Sequence, residues 1–284
     1  MSSYLNRRQR NVEIFEDTLN QIQESKLLSQ AVDFSIKNTR VYTADEYPQL
    51  ESESVDQNVI VTKSRTFEAA INLNKKYSNK RIAVLNFASS TTPGGGVKWG
   101  SSAQEEALCR CSTLYPVLST NYVFKNFYLG NRNRYNALNT DDIVYSKDIV
   151  ICKNDIDYPT RMLEKDYVKV DVLTCAAPNL REKPSNDFNV SNGDQVSITD
   201  EELYKLHLSR AKHILHIAAF NKVEILILGA FGCGAFRNNP WVVAKAYKDA
   251  LKEYDNNFFL VDFAIYTRPN EEENYNAFIE TFGH

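Results

Sequence analysis

Two consecutive glutamates, Glu105 and Glu106, follow a glycine triplet and are the residues of this chain best suited to chemistry. A pair of carboxylates can supply the acid that protonates a departing oxygen and the base that activates water, as cleavage of a glycosidic bond requires. The triplet Gly94–Gly96 lacks Cβ atoms, so a ligand can approach its amides closely. No Gly-Lys-Ser/Thr follows it at P-loop spacing. The stretch indicates a nucleotide-like ligand bound without Walker chemistry.

A buried strand and a helix are predicted to position this loop. The apolar run 82–85 ends at Asn86, which places Asn86 at the carboxyl end of a strand, where open α/β sheets bind ligands. A helix is predicted to begin at Ser102, because Ser102 and Glu105 fit a capping box. The glutamates would then stand at the mouth of the glycine loop.

The same glutamates also have a purely structural interpretation. Glu105 would cap the helix and Glu106 would pair with Arg110 at i+4, and both negative charges would suit the positive end of the helix dipole. The residue types alone leave both interpretations open.

A second glycine-rich loop, residues 229–238, follows the apolar strand 224–228 and precedes a helix that Pro240 begins. Glycines between a buried strand and a helix N-terminus are typical of a phosphate cradle. A tight turn that merely needs positive φ is the alternative. Two such loops would grip a diphosphate from two sides.

The full pattern of Gly-Gly-Gly, seven residues and Gln-Glu-Glu resembles the signature of poly(ADP-ribose) glycohydrolases of the compact microbial type, which are built on a macrodomain. The flanking residues 84–88 and 106–110 are also similar to that family. The resemblance covers about residues 40 to 280. It implies an α/β protein with a three-layer α/β/α macrodomain-like fold, a mixed central sheet and an N-terminal helical extension. The predicted division is an accessory segment, 1–40, and a catalytic domain, 41–284.

Carried over residue by residue, the resemblance implies that Glu106 is the general acid for the leaving hydroxyl and then the base for water. Glu105 would hold the ribose hydroxyls. A protonated Glu106 at neutral pH requires a raised pKa, which burial by substrate next to Glu105 would provide. The resemblance also implies that Asn86 binds the terminal ribose, that Phe236 packs against a ribose and that the loop backbones hold phosphate. The complete set of implied substrate-binding residues is Asn86, Gly94, Gly95, Gly96, Gln104, Gly232, Cys233, Gly234, Ala235 and Phe236.

The implied reaction is hydrolysis of the ribose–ribose bond of poly(ADP-ribose), mainly from the chain end, with release of ADP-ribose. Two alternatives stay open: a hydrolase that removes single ADP-ribose units from protein or nucleic acid, and a module that binds ADP-ribose without turnover. The complete Gln104-Glu105-Glu106 triplet favours an enzyme, since a binding module needs no acid. Segments 120–140 and 181–199 would decide between the two hydrolases.

Composition excludes several other classes. With 33 basic and 36 acidic residues, the chain has no net attraction for nucleic acid. Five cysteines without a disulfide pattern, and an N-terminus without an apolar segment, indicate a reducing, cytoplasmic setting. No apolar run is long enough for a membrane span. We expect a monomer that needs no metal or cofactor and is active in excess chelator.

Four further predictions concern the remaining chain. Residues 4–25 show helical apolar spacing and should dock on the body as an amphipathic helix. The basic cluster at 7–10 could touch a phosphate backbone, but a solvated helix face is the favoured interpretation. Strand 59–62, helix 66–77 and the strand at 82 form a βαβ unit, which implies a parallel pair. Residues 120–140 are interpreted as irregular surface. His213 and His216 share a helix face but lack further ligands, which favours packing over metal binding.

Overall fold

A mixed seven-stranded sheet lies at the centre of the computed structural model, which describes residues 2–51 and 55–283. The strand order is β1-β4-β5-β3-β6-β7-β2. The pairs β1–β4 and β4–β5 are antiparallel and the other four are parallel. The strands are β1 Arg40–Tyr42, β2 Asn58–Thr62, β3 Ile82–Phe87, β4 Ile143–Ile151, β5 Val168–Cys175, β6 Ile225–Leu228 and β7 Leu260–Ala264.

Helices cover both faces of the sheet. One face packs against α8, α9 and α10, and the other packs against α1, α3, α4 and α5. The helices are α1 Ser2–Glu24, α2 Lys26–Lys37, α3 Thr66–Lys76, α4 Gln104–Cys111, α5 Leu114–Leu118, α6 Asn121–Val123, α7 Leu129–Arg134, α8 Asp200–Phe220, α9 Pro240–Leu251 and α10 Glu273–Phe282. The predicted three-layer α/β class, with a mixed sheet and an N-terminal helical extension, is confirmed. None of the described helices is both long and apolar enough to cross a membrane.

The central strands are apolar because helices shield them on both sides. All four residues of β6 are buried, as are the first five of β3. In a sheet of this kind each strand reads as a continuous apolar run. Strand β3 lies between β5 and β6, with Asn86 paired in register with Thr174. The carboxyl ends of β3, β5, β6 and β7 therefore meet at one edge.

The predicted βαβ unit is only partly correct. Strands β2 and β3 run parallel in one sheet, but β6 and β7 separate them, and β2 pairs with β7 instead. The separating strands come from residues more than a hundred positions later in the chain. A local pattern cannot reveal such an insertion.

Residues 120–140 are irregular only in part. Residues 121–134 form α6, a π-helical turn at Phe124–Tyr128, and α7, whereas residues 135–140 are turn and coil as predicted. Phe127 and Tyr128 are fully buried. Asn126 and Asn131 each donate a side-chain hydrogen bond to the carbonyl four residues earlier. These polar side chains bond to the backbone of their own helix. The polar composition of the segment therefore gave no sign that one of its faces is buried.

The N-terminal helix α1 docks on the body through its apolar stripe, as predicted. Phe15 packs edge-to-face on Tyr115 with ring centroids 5.0 Å apart, and the Thr18 hydroxyl donates to the Arg110 carbonyl. The division of the chain at residue 40 stays a prediction. The outer ends of the two predicted segments, residues 1 and 284, lie outside the described residues.

The histidines of α8 are held by packing and backbone contacts. His213 is fully buried, with its ring nitrogens 2.6 Å from the Asp141 carbonyl and 3.2 Å from that of Glu46. His216 contacts the Pro48 carbonyl at 2.7 Å. Within 2–51 and 55–283, no group of three or more His, Cys, Asp or Glu residues could hold a metal ion.

Candidate active site

A cleft of about 580 Å³ opens at the carboxyl edge of the sheet. Its floor includes Phe87 at the end of β3, Ser89 just after it, Ala230 after β6, and Ile265 after β7. The first turn of α4 forms one wall and the second glycine-rich loop forms another. This is the edge at which open α/β sheets place their ligands.

Helix α4 begins differently from the prediction. Its N-cap is Ala103, which makes no side-chain cap, so the predicted capping box at Ser102 is wrong. Glu105 turns into the site instead: its Oε2 accepts from the Ser89 amide at 2.8 Å and its Oε1 accepts from Asn86 Nδ2 at 3.3 Å. Glu105 therefore does not cap the helix, and its carboxylate holds the loop after β3.

Glu106 lies beside Glu105 and lines the cleft with it. Its Oε1 accepts from the Gly96 amide at 2.8 Å. Its Oε2 is buried and has no hydrogen-bond partner among the described residues. The alternative pairing with Arg110 is absent from the described ion pairs, since that guanidinium donates to the Ser101 carbonyl at 2.6 Å. One oxygen of Glu106 is thus fixed and the other is left for a ligand.

Burial raises the pKa of both glutamates, and that of Glu105 lies well above its ordinary value. The pKa of Glu105 is raised further by the negative charge of Glu106, and is lowered in part by hydrogen bonds from Ser89 and Asn86. Two buried carboxylates side by side cannot both ionise easily. At a pH at which an exposed glutamate is already ionised, the pair therefore still retains a proton.

The first glycine loop is shaped by these carboxylates. Gly95 has φ +54°, and a Cβ there would lie 2.7 Å from Glu106 Oε1 and 3.1 Å from Glu105 Oε2. The Gly96 amide donates to Glu106, and the Gly95 amide donates to the Thr92 carbonyl at 2.9 Å. These two amides are therefore used within the protein, and contact of the loop with phosphate stays a prediction.

Gln104 and Asn86 occupy the layer behind the glutamates. Gln104 Oε1 accepts from the Phe87 amide and its Nε2 donates to the Leu85 carbonyl, both at 2.8 Å. These bonds tie α4 to the end of β3. Asn86 is fully buried and donates to Glu105. Direct contact of either amide with a ribose stays a prediction.

The second loop, residues 229–238, joins β6 to α9 at the cleft. Gly232 has φ +80°, and a Cβ there would lie 2.6 Å from that of Ala177. The predicted helix start is confirmed, with Pro240 as the first residue after an Asn239 cap. Among the described residues, the amides of Gly232, Gly234, Ala235 and Phe236 donate no hydrogen bond, and all four residues line the cleft. Unbonded amides gathered in a loop can form an anion-binding nest.

Sequence reasoning missed two residues that hold this loop. Asn238 donates to the Pro178 carbonyl at 2.7 Å, and His207 Nε2 lies 2.6 Å from Asn238 Oδ1. Burial lowers the pKa of His207 to about 4, so the ring is neutral and its Nε2 proton goes to the amide oxygen. The available signal was spacing: His207 shares an apolar face with Leu203 and Ala211 at i±4.

Two segments outside the motifs complete the walls. Residues 181–199 form a loop, as predicted, but Asn192 within it is buried and donates to Ser90 Oγ at 2.8 Å. Arg7 and Arg8 of α1 line the cleft, so the interpretation of the whole basic cluster as a solvated face is wrong. Only Arg10 points away, over the ring of Tyr158 at 4.7 Å.

Comparison with known proteins agrees with this geometry. Residues 4–154, just over half of the chain, match the family described as microbial-type PARG, catalytic domain. Poly(ADP-ribose) glycohydrolase from Thermomonospora curvata, solved with the inhibitor ADP-HPD, is similar over 96% of this chain and 99% of its own, with 26% identity and a TM-score of 0.80.

The glycohydrolase from Deinococcus radiodurans, solved with ADP-ribose, is 31% identical over 88% of this chain and 96% of its own, with a TM-score of 0.73. No match was found among curated proteins. On the family match and the shared fold, the chain belongs to the microbial-type poly(ADP-ribose) glycohydrolase family.

Proposed function

We propose that this protein hydrolyses the ribose–ribose O-glycosidic bond of poly(ADP-ribose), mainly at the chain terminus, and releases ADP-ribose. The observation that carries the proposal is the buried Glu106 carboxyl, with one oxygen fixed by the Gly96 amide and the other unpartnered in the cleft among the described residues. Similar proteins have been solved with ADP-ribose and with ADP-HPD.

The second loop is the proposed diphosphate site. The residues with unbonded amides, Gly232, Gly234, Ala235 and Phe236, line the cleft close to the N-terminus of α9. Backbone amides gathered in this way bind phosphate oxygens without a metal ion. Phe236 also lines the cleft and would pack against the ribose next to the scissile bond. The terminal ribose would then face the two glutamates.

Glu106 is the proposed acid and base. Its Oε2 would hold the proton, because an uncompensated charge on that buried oxygen is costly and because both oxygens of Glu105 already accept hydrogen bonds. As the bond from the anomeric carbon breaks, the proton passes to the departing oxygen of the next ribose. A water oxygen then bonds to that carbon and its proton returns to Glu106.

Glu105 has the complementary task of holding the ribose. Consecutive helix residues point about 100° apart, so the two carboxylates would approach one sugar from different directions. Asn86 and the Ser89 amide fix Glu105 from behind. An ionised Glu105 would accept hydrogen bonds from the ribose hydroxyls and stabilise positive charge on the ring.

The size of the cleft supports cutting at the terminus. A volume of about 580 Å³ is within the range of roughly 300–1,000 Å³ that single small ligands occupy. One ADP-ribose unit would occupy most of it, and the rest of the polymer would lie at its mouth and beyond. The measurement that tests this preference is the ratio of ADP-ribose to longer fragments at early times.

The experiment for the reaction compares purified protein with Glu106→Gln on three substrates: poly(ADP-ribose), singly ADP-ribosylated protein and singly ADP-ribosylated DNA. Free ADP-ribose is the readout. Release from polymer by the wild type and not by the variant supports the proposal. Release only from single adducts identifies a mono-ADP-ribosyl hydrolase, and binding of ADP-ribose without turnover identifies a binding module.

A further inference from the structure

Helix α1 brings positive charge to the edge of the cleft next to the catalytic helix. The approach is close: a Cβ at Gly100 would lie 2.2 Å from the Arg8 carbonyl, and Asn11 Nδ2 donates to the Gly100 carbonyl at 3.0 Å. Arg7 and Arg8 both line the cleft there, along with residues 100–108. The fold therefore positions two guanidinium groups at the mouth of the site.

Two aromatic rings stand beside these arginines. Trp99 and Phe188 have ring centroids 5.4 Å apart, and the Arg8 guanidinium lies 5.6 Å from the centre of the Phe188 ring. Trp99 is 48% exposed, which is unusual for so large an apolar surface. Exposed rings next to arginines are well suited to stacking a nucleobase and holding phosphate.

Gly96 shows how close these arginines and aromatic rings lie to Glu106, the proposed acid. Its amide bonds Glu106, and a Cβ placed on it would lie 3.3 Å from Phe188 Cγ. The basic and aromatic group is thus separated from the acid by a single loop residue. The second glycine loop, which would hold the diphosphate of the bound unit, belongs to another wall of the cleft.

We propose that Arg7, Arg8, Trp99 and Phe188 form a subsite for the leaving part of the polymer. The inference rests on the proposed function, because the oxygen that leaves the anomeric carbon and takes the proton of Glu106 belongs to the adenosine ribose of the next unit. That unit carries an adenine and two phosphates. The adenine stacks on the exposed Trp99 ring, and the arginines bind the phosphates.

If the subsite binds the leaving unit, changing it should lower activity only on a substrate that contains that unit. Two substrates test this: poly(ADP-ribose), and ADP-ribose joined through its anomeric carbon to 4-nitrophenol, which lacks the next unit. The variants are the double change Arg7→Gln with Arg8→Gln, and Trp99→Ala. The matched control is Arg10→Gln, because Arg10 lies on the same helix but stacks on Tyr158.

Both variants should lower kcat/KM on polymer about tenfold or more, through lost contacts with phosphate and base. They should leave kcat/KM on the nitrophenyl substrate within about twofold, and Arg10→Gln should match the wild type on both. The wild type should lose activity on polymer with added salt more steeply than the double variant does.

Equal losses on both substrates would overturn the subsite, since they would report a distorted site. Unchanged activity on polymer would overturn it too. A wild-type protein that cleaves the nitrophenyl substrate but not polymer would refute the proposed function, whereas cleavage of polymer at equal rates by all variants would refute the subsite alone.

Discussion

Replacement of Glu106 by glutamine is the sharpest test of the chemistry. Glutamine keeps the shape of the side chain, and its Oε1 can still accept from the Gly96 amide, which is 2.8 Å away in the wild type. The amide that replaces Oε2 cannot deliver a proton to a departing oxygen. The change therefore removes the acid while preserving the loop.

The expected magnitude follows from that single loss. General acid–base catalysis contributes roughly 10²–10⁴-fold, and each tenfold corresponds to about 1.4 kcal/mol of activation free energy. We expect kcat on polymer to fall by that factor, about 3–5 kcal/mol. The affinity for ADP-ribose should change only a few-fold, because Glu105 and the second loop are untouched.

The assay combines single-turnover release of ADP-ribose with calorimetric binding of ADP-ribose, across a range of pH. Burial raises the pKa of Glu106, so wild-type kcat should decline with rising pH above that raised pKa, as the acid loses its proton. The variant should lack this decline. Glu201→Gln, a change at an exposed helix position, serves as the control and should behave as the wild type.

Two results would refute the reasoning. A fall in kcat of less than about tenfold would mean that the proton comes from elsewhere, given the contribution expected of an acid. A fall matched by an equal loss of affinity would mean that Glu106 binds substrate and transition state alike.

Two other changes test the surroundings of the pair. Gly95→Ala should lower kcat at least about tenfold, because the new methyl group meets Glu106 Oε1 and the positive φ costs about 1–2 kcal/mol; wild-type kinetics with an unchanged melting temperature would contradict it. His207 should make the protein less stable in acid, because its pKa is about 4 in the folded protein and about 6.5 in the unfolded chain. Its contribution to the free energy of unfolding is therefore intact above pH 6.5 and declines as the pH falls towards 4. Urea unfolding should show about 2 kcal/mol of this loss between pH 7 and pH 5, and His207→Gln should lose correspondingly less; an identical pH dependence would exclude His207 as the cause.

The sequence predicts those parts of the site that depend on neighbouring residues. Strands β3 and β6 are short apolar runs that end at Asn86 and at a glycine, and their placement is confirmed. The start of α9 at Pro240 is confirmed for the same reason, since proline at a first helical position is a local signal.

Features that depend on tertiary contacts could not be read in the same way. The capping-box prediction for Ser102 failed because the Glu105 carboxylate accepts a hydrogen bond from the Ser89 amide, sixteen residues away, and not from the start of its own helix. The arginines of α1 reach the cleft only because Gly100 lets the Arg8 carbonyl come close. Neither partner is marked by spacing in the chain.

The same close docking of α1 sets an order for folding. Asn11 bonds Gly100, 89 positions later, and Ile14 accepts from Lys153, 139 positions later. During synthesis α1 is therefore made well before the residues that receive it, and one of them, Lys153, lies past the midpoint of these 284 residues. Contacts of such sequence separation form slowly. The wall of the cleft that contains Arg7 and Arg8 is thus completed long after α1 itself has been made.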